Sequence, residues 1–314
     1  MAQEIEVKKE LNKKSDKDFT VIGKDLEANQ AVARPSLTYW QDAWRRFKEN
    51  KLAVISLIFL VLVILYSIIG SWFFPDYKSQ SLMHTYQPPG KDFWFGTDEL
   101  GRDLFARLIR GTKISLFIGL VVSVINMIIG IIFGGICGYY GGKVDMVLMR
   151  IIEILMVVPD MLVMILLLNV MRGNVGTLIF ALCLTGWTDV AQLVRGQVMQ
   201  LKQNEYVLAA RVLGADSLTI LRQHLIPNMI GPLIIKFSMN VPGVIFAEAS
   251  LSYLGLGVKI PEASWGNLAQ VGANNFPAYL WLFFIPASLF ALTMLAFNLI
   301  GDGLRDALDP KLRR

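Results

Sequence analysis

Residues 52–74 form a run of 23 without a single charge. Wound as a helix, that run rises about 35 Å, enough to cross roughly 30 Å of hydrocarbon. Comparable apolar stretches follow at 114–138, at about 151–171, at about 175–194, at about 229–254 and at about 279–300. The pattern predicts an all-α integral membrane protein with six transmembrane helices. Composition agrees: 54% of the residues are hydrophobic, 18% are charged and the mean hydropathy is +0.50. A soluble domain of this length has no way to bury so much apolar surface. An ordinary soluble enzyme and a wholly disordered chain are both excluded.

The stretches are not uniform. The third is broken by Glu153, Pro159 and Asp160, and the fourth is the least apolar, with Asp189 near its end. The fifth holds Pro232, Lys236, Pro242 and Glu248, and the sixth holds Pro286. Each proline removes a helix hydrogen bond, so kinks or broken turns are expected there. Gly130, Gly134 and Gly138 recur every four residues along the second stretch. That spacing puts three positions without side chains on one face, where another helix can approach closely.

Residues 1–51 contain no early apolar run, so no cleaved signal peptide is expected. Residues 1–35 intersperse Lys8, Lys9, Lys13, Lys14 and Lys17 with acids and read as a disordered cytoplasmic tail. Trp40, Trp44 and Phe47 fall at helical spacing beside Arg45, Arg46, Lys48 and Lys51. Residues 36–51 are therefore expected to form an amphipathic helix in the headgroup region. Orientation follows from lysine and arginine in the connections. With the N-terminus inside, the inner connections carry 21 and the outer ones 8. Six of those eight lie in residues 75–113, where Asp76, Asp92, Asp98, Glu99 and Asp103 nearly offset them. Both termini, including residues 302–314, are expected in the cytoplasm. Residues 75–113 are expected outside, and residues 114–301 form a five-helix core with an inner loop at 203–228.

Little in the chain is equipped for covalent chemistry. Cys137 and Cys183 both lie in apolar runs and read as small core residues. His84 and His224 are the only histidines, and there is no zinc spacing, no HExxH and no phosphate-binding loop. No metal, cofactor or catalytic residue is expected, and any ATP hydrolysis must be done by another chain. An ion-driven secondary transporter would need paired acidic sites and repeated halves, which are not visible. A membrane-embedded enzyme would need a nucleophile–base or metal set, which two distant histidines do not supply.

Polar groups inside the apolar stretches are costly and so point to function or to partners. Asp160 lies near the middle of the third, directly after Pro159. It either lines a polar pathway through the membrane or bonds a neighbouring helix. Asn126 and Asn240 can line such a path or bond between helices. Glu248, near the outer end of the fifth, suits a gate or a packing role. Glu153 and Lys236 lie close to the inner surface, where their chains can snorkel.

The inner loop carries Glu205 and Tyr206, then Ala209, Ala210 and Gly214, then His224, Pro227 and Asn228. Read alone, this is a short amphipathic helix ended by glycine, able to sit in a groove on another protein or to pack on its own subunit. Ala209-Ala210-x-x-x-Gly214, with Leu225-Ile226-Pro227 beyond it, resembles the EAA loop of binding-protein-dependent ABC importer permeases. Leu208 stands where the general pattern has glutamate, and His224 where it has isoleucine. The variant Glu205-Tyr206…Ala209-Ala210…Gly214…His224…Pro227-Asn228 is similar to the oligopeptide/dipeptide branch. Phe95-Gly96-Thr97-Asp98 through Gly101-Arg102-Asp103 agrees with that branch. So do Ser252-Tyr253-Leu254-Gly255-Leu256-Gly257 with Ser264-Trp265-Gly266-Asn267, and Asn298 through Gly301-Asp302-Gly303 to Asp309-Pro310. The segment carrying Gly-Thr-Asp…Gly-Arg-Asp looks like the C-type subunit.

The resemblance implies a type I ABC importer permease fold and a role without catalysis. It implies a B-type permease partner, two cytoplasmic ATPases holding ATP and Mg, and an extracellular binding protein delivering peptide. Glu205, Tyr206, Ala209, Ala210, Gly214, His224, Pro227 and Asn228 would form the coupling loop against an ATPase. Asp160, Asn126, Asn240 and Glu248 would line the pathway. The same scaffold carrying nickel chelates or another small solute is the near alternative. No nucleic acid is expected as a partner.

Overall fold

In a computed structural model the described residues are 38–171 and 174–309. The tail expected at 1–35 and the last five residues lie outside them. Residues 1–43 form one unit, of which only 38–43 are described; residues 44–314 form the other. The described elements are helical, joined by turns and one isolated β-bridge between Thr97 and Asp103.

Helix α1 (Tyr39–Glu49) is followed, after the N-cap Asn50, by α2 (Lys51–Phe73). The aromatic stripe divides between two environments. Trp44 is exposed, whereas Phe47 is buried in a cluster with Ala53, Leu60 and Phe297. Helix α3 (Leu104–Tyr140) begins ten residues before the uncharged run. Its N-cap is Asp103, whose carboxylate accepts from the Phe105 amide at 2.8 Å. Arg107 and Arg110 are therefore helical residues rather than parts of a loop.

The third apolar stretch is two helices, α4 (Gly142–Val157) and α5 (Asp160–Val170), bent by 80°. The bend falls where proline dictates it: Val158, forced out of helical geometry by the following Pro159, is extended at φ −80° and ψ 127°. The fourth is α6 (Val175–Thr185) and α7 (Thr188–Leu201), joined by a turn at Gly186–Trp187. Next come α8 (Glu205–Val212) and α9 (Ser217–Tyr253), the latter containing a π-helical stretch at Ile220–Leu225. Pro232 and Pro242 lie within α9 without breaking it. Helices α10 (Trp265–Asn274) and α11 (Leu280–Leu308) complete the chain. Five helical segments are long and apolar enough to cross a membrane, and six if the bent pair α4–α5 is one span. The fold is all-α, as the sequence pattern predicts.

The glycine face of α3 meets α7. A Cβ at Gly130 would lie 2.5 Å from Val190, and one at Gly138 would lie 2.7 Å from Val198. Arg195 on α7 then grips Asp145 on α4 through Nε and Nη2 at 2.5 and 2.6 Å. Lys202 donates to the carbonyl of Gly138 at 2.7 Å, a cation on the C-terminal end of α3. Helix α7, which leads into α8, is thereby clamped to α3 and α4.

Candidate functional site

A half-open cavity of about 330 Å³ lies among α3, α4, α5, α6, α7 and α9. The bend at Pro159 turns α5 so that its first residue, Asp160, reaches the cavity wall, where it is exposed. Asn126 from α3 and Asn240 from α9 lie on the same wall. Three of the four residues expected along a pathway thus share one cavity, although they lie far apart in sequence.

The wall is polar in an unusual way. Asn126 is fully buried, and neither its Oδ1 nor its Nδ2 has a hydrogen-bond partner. The Oγ1 of Thr185 and the Nδ2 of Asn240 are also buried and unpartnered. A buried amide without a partner costs roughly 1–3 kcal/mol, so such groups are rare where they serve packing alone. Asp160 forms no ion pair among the described residues.

Sequence reasoning missed part of this wall. Thr185, Thr188 and Asp189 line the cavity from the break between α6 and α7. Their signal was present as the hydropathy dip that made the fourth stretch the least apolar. Lys236, expected to snorkel, lies 3.6 Å from Asp189 instead, joining α9 to α7.

Glu248 does not join the cavity wall. Its side chain is fully buried and accepts from Ser115 Oγ at 2.8 Å and from Ser252 Oγ at 2.7 Å. Ser115 also receives the Trp265 amide at 3.2 Å, and Trp265 Nε1 donates to Thr112 at 3.1 Å. The Ser252 and Ser264-Trp265 motifs thus converge on one buried network with Glu248 at its centre.

The Gly-Thr-Asp…Gly-Arg-Asp motif is a second such knot. Asp98 is buried and accepts from Arg102 Nε at 2.7 Å, from the Leu100 and Arg102 amides, and lies 3.5 Å from Arg107. Gly101 has φ +69°, and a Cβ there would fall 1.9 Å from the carbonyl oxygen of Ser81. Only glycine fits that approach.

Across residues 203–228, α8 turns Val207 and Ala210 inward, Val207 into a cluster with Val198, Ile220 and Leu225. Ala210 is therefore a packing residue here, not part of an outward smooth face. The outward face carries Tyr206, Leu208, Ala209, Val212 and Leu213, with Val212 and Leu213 each 87% exposed. Gly214 has φ +87° and open space where a Cβ would stand. The Tyr206 ring lies 6.4 Å from that of His224, and Asn228 donates to the His224 carbonyl at 2.6 Å. Pro227 sits in the first turn after the π stretch, and both Glu205 and Pro227 are exposed. Asp216 ahead of α9 is held below the usual carboxylate range by hydrogen bonds from Thr219.

The chain matches known families along most of its length. Residues 130–314 match the binding-protein-dependent transport system inner membrane component, and residues 38–89 match the N-terminal membrane domain of oligopeptide transport permease C. The dipeptide transport system permease protein DppC of Bacillus subtilis is 50% identical, over 93% of this chain and 91% of its own length. The oligopeptide transport system permease protein OppC of the same organism is 48% identical, over 91% and 94%. The MetNI methionine ABC transporter in an inward-facing crystal form superposes with a TM-score of 0.54 at 17% identity. That match covers 65% of this chain and 96% of the other, a likeness of fold. With its helices, its motif networks and these matches in agreement, the chain belongs to the family of binding-protein-dependent transport system inner membrane components, in the C-type branch of peptide-importer permeases.

Proposed function

We propose that this chain is one of two permease subunits of an ATP-driven peptide importer, working with a B-type permease, two ATPases and an external binding protein. The observation that carries the reading is the half-open cavity. Its walls offer amide and hydroxyl groups without partners beside two exposed carboxylates. Peptides vary in side chain but always present amides and charged ends, so such a lining can meet many sequences without trapping one. The chain itself does no hydrolysis. Both termini face the cytoplasm in this reading, and residues 75–103 face outward.

Coupling runs through residues 205–228. The exposed apolar pair Val212 and Leu213, next to Tyr206 and Leu208, is the face offered to an ATPase. Because α7 is clamped to α3 and α4, a push on α8 moves several helices together. That is a rigid-body switch between two packed states.

The test is uptake by the complete complex in proteoliposomes. Labelled dipeptides and oligopeptides should accumulate with ATP and with the cognate binding protein. Uptake of a nickel chelate with no uptake of any peptide would overturn the cargo assignment. For coupling, a cysteine at Val212 or Leu213, in a background lacking Cys137 and Cys183, should crosslink to an ATPase subunit. Failure of both positions to crosslink in an otherwise active complex would remove α8 from the interface.

A further inference from the structure

We infer that the cavity is a holding site for the protonated amine of the cargo, and that Lys236, paired with the lining residue Asp189, is the internal cation which that amine displaces. The inference rests on the reading of this chain as an import permease and adds the chemistry of the group that is held.

Two carboxylates, Asp160 and Asp189, line one cavity from different helices, α5 and α7. Carboxylates alone do not make a site. The neighbouring amides supply the second observation. Asn126 is fully buried on the wall with both amide atoms unpartnered, and Thr185 is 4% exposed with its hydroxyl unpartnered. Asn240 adds a third such group. An ammonium joined to a peptide amide satisfies this set: the cation meets a carboxylate, and the amide meets Asn126 and Asn240. At about 330 Å³ the cavity is near the lower end of small-ligand clefts, which run roughly 300–1,000 Å³. It suits the end of a peptide rather than a long one in full.

No lysine or arginine is among the described lining residues. A cation does pair with one of the lining carboxylates: Lys236 Nζ lies 3.6 Å from Asp189 Oδ2. A lysine ammonium and a peptide's terminal ammonium are the same chemical group, each a compact cation with three donors. Lys236 is thus what a cargo amine must displace. The pair also joins α7 to α9, the two helices that the coupling loop connects. Displacement by cargo would release that tie at the time the site fills. Asp160 has no such internal cation and remains free to attract the incoming charge.

The experiment reads the field in the cavity directly. A cysteine is placed at Gly243, which lines the cavity and has open space for a Cβ, in a background lacking Cys137 and Cys183. In the complete complex without binding protein, its modification rates by cationic and by anionic methanethiosulfonate reagents are compared. The cationic reagent should react faster. Lys236→Met should raise the cation-to-anion ratio, and Asp189→Asn and Asp160→Asn should each lower it. The expected changes are about threefold to tenfold, the effect of one unit charge several ångströms away at an effective dielectric between protein and water. A dipeptide with a free amine should protect the thiol, and its N-acetylated form should not. A cysteine at Asn240 is the second reporter, in case the first complex fails to assemble. A ratio near one that no variant moves would overturn the inference, as would equal protection by the two peptides. No transport is measured, so failure here and failure to import peptide are separate results.

Discussion

Gly134 brings the backbone of α3 directly against that of α7: a Cβ added there would lie 2.3 Å from the carbonyl oxygen of Ala191. The obstacle is backbone, which cannot rotate away. Gly134→Ala should cost about 1–3 kcal/mol by overpacking. It should appear as a lower melting temperature of the detergent-purified complex and reduced yield. Gly196→Ala, inside α7 with nothing within 4 Å, is the control expected to leave the melting temperature unchanged or slightly raised. Equal melting temperatures for both variants would show that the two helices do not pack as described.

Glu262 ties the segment before α3 to the turn before α10. It accepts from Tyr77 at 2.8 Å and from Arg110 Nε at 2.7 Å. Partial burial raises its pKa, but the hydrogen bonds from Arg110 and Tyr77 and the charge of Arg110 outweigh this and hold it below the usual 4.5. A lowered folded-state pKa means the tie is present above the unfolded value and is lost as pH falls through the folded one. Proteolysis of residues 75–103 should therefore accelerate below about pH 4, in the range where free glutamates protonate. Glu262→Gln should remove that step. A step that persists in the variant would assign it to another group.

At Gly214 the constraint is conformational, not steric, because φ is +87° and nothing lies near a Cβ within this chain. Left-handed backbone costs a branched or bulky residue about 1–2 kcal/mol and costs asparagine less. Gly214→Leu should reduce ATP-coupled uptake while insertion and peptide loading by the binding protein remain intact. Gly214→Asn should retain most of it. Normal uptake by Gly214→Leu in proteoliposomes would count against the docking role of the loop.

Asp160→Asn removes one charge from the cavity without leaving a void. Uptake should fall most for peptides rich in lysine or arginine, and acidic peptides should be little affected or helped. Competition assays with matched basic and acidic peptides separate the outcomes. A loss independent of peptide charge, together with reduced assembly in detergent, would make Asp160 a packing residue.

Orientation can be read with two cysteines in the same cysteine-free background. A membrane-impermeant thiol reagent added to intact cells should label position 79 and leave position 203 unlabelled. Both replace exposed residues, Ser79 and Gln203. The reverse pattern would invert the topology and with it the assignment of α8 to an ATPase.

The sequence alone determined which stretches are apolar enough to cross a membrane, where proline breaks them, and which face of α3 admits a neighbour. These are local properties, carried by length, charge and spacing within one segment. The family motifs were legible for the same reason, since each lies within a few dozen residues. Only the tertiary structure decided what each polar group meets. Glu248, legible as a costly charge, is matched to Ser115, which lies 133 positions away. Val207 turns inward to pack with Val198, Ile220 and Leu225, which come from α7 and α9, and Ala210 is buried on the same helix. Asp160, Asn126 and Asn240, on three different helices, share one cavity wall, with Asp160 at the 80° bend between α4 and α5. A hydropathy profile measures a residue against its own segment, whereas burial and pairing are set by helices that arrive from elsewhere in the chain.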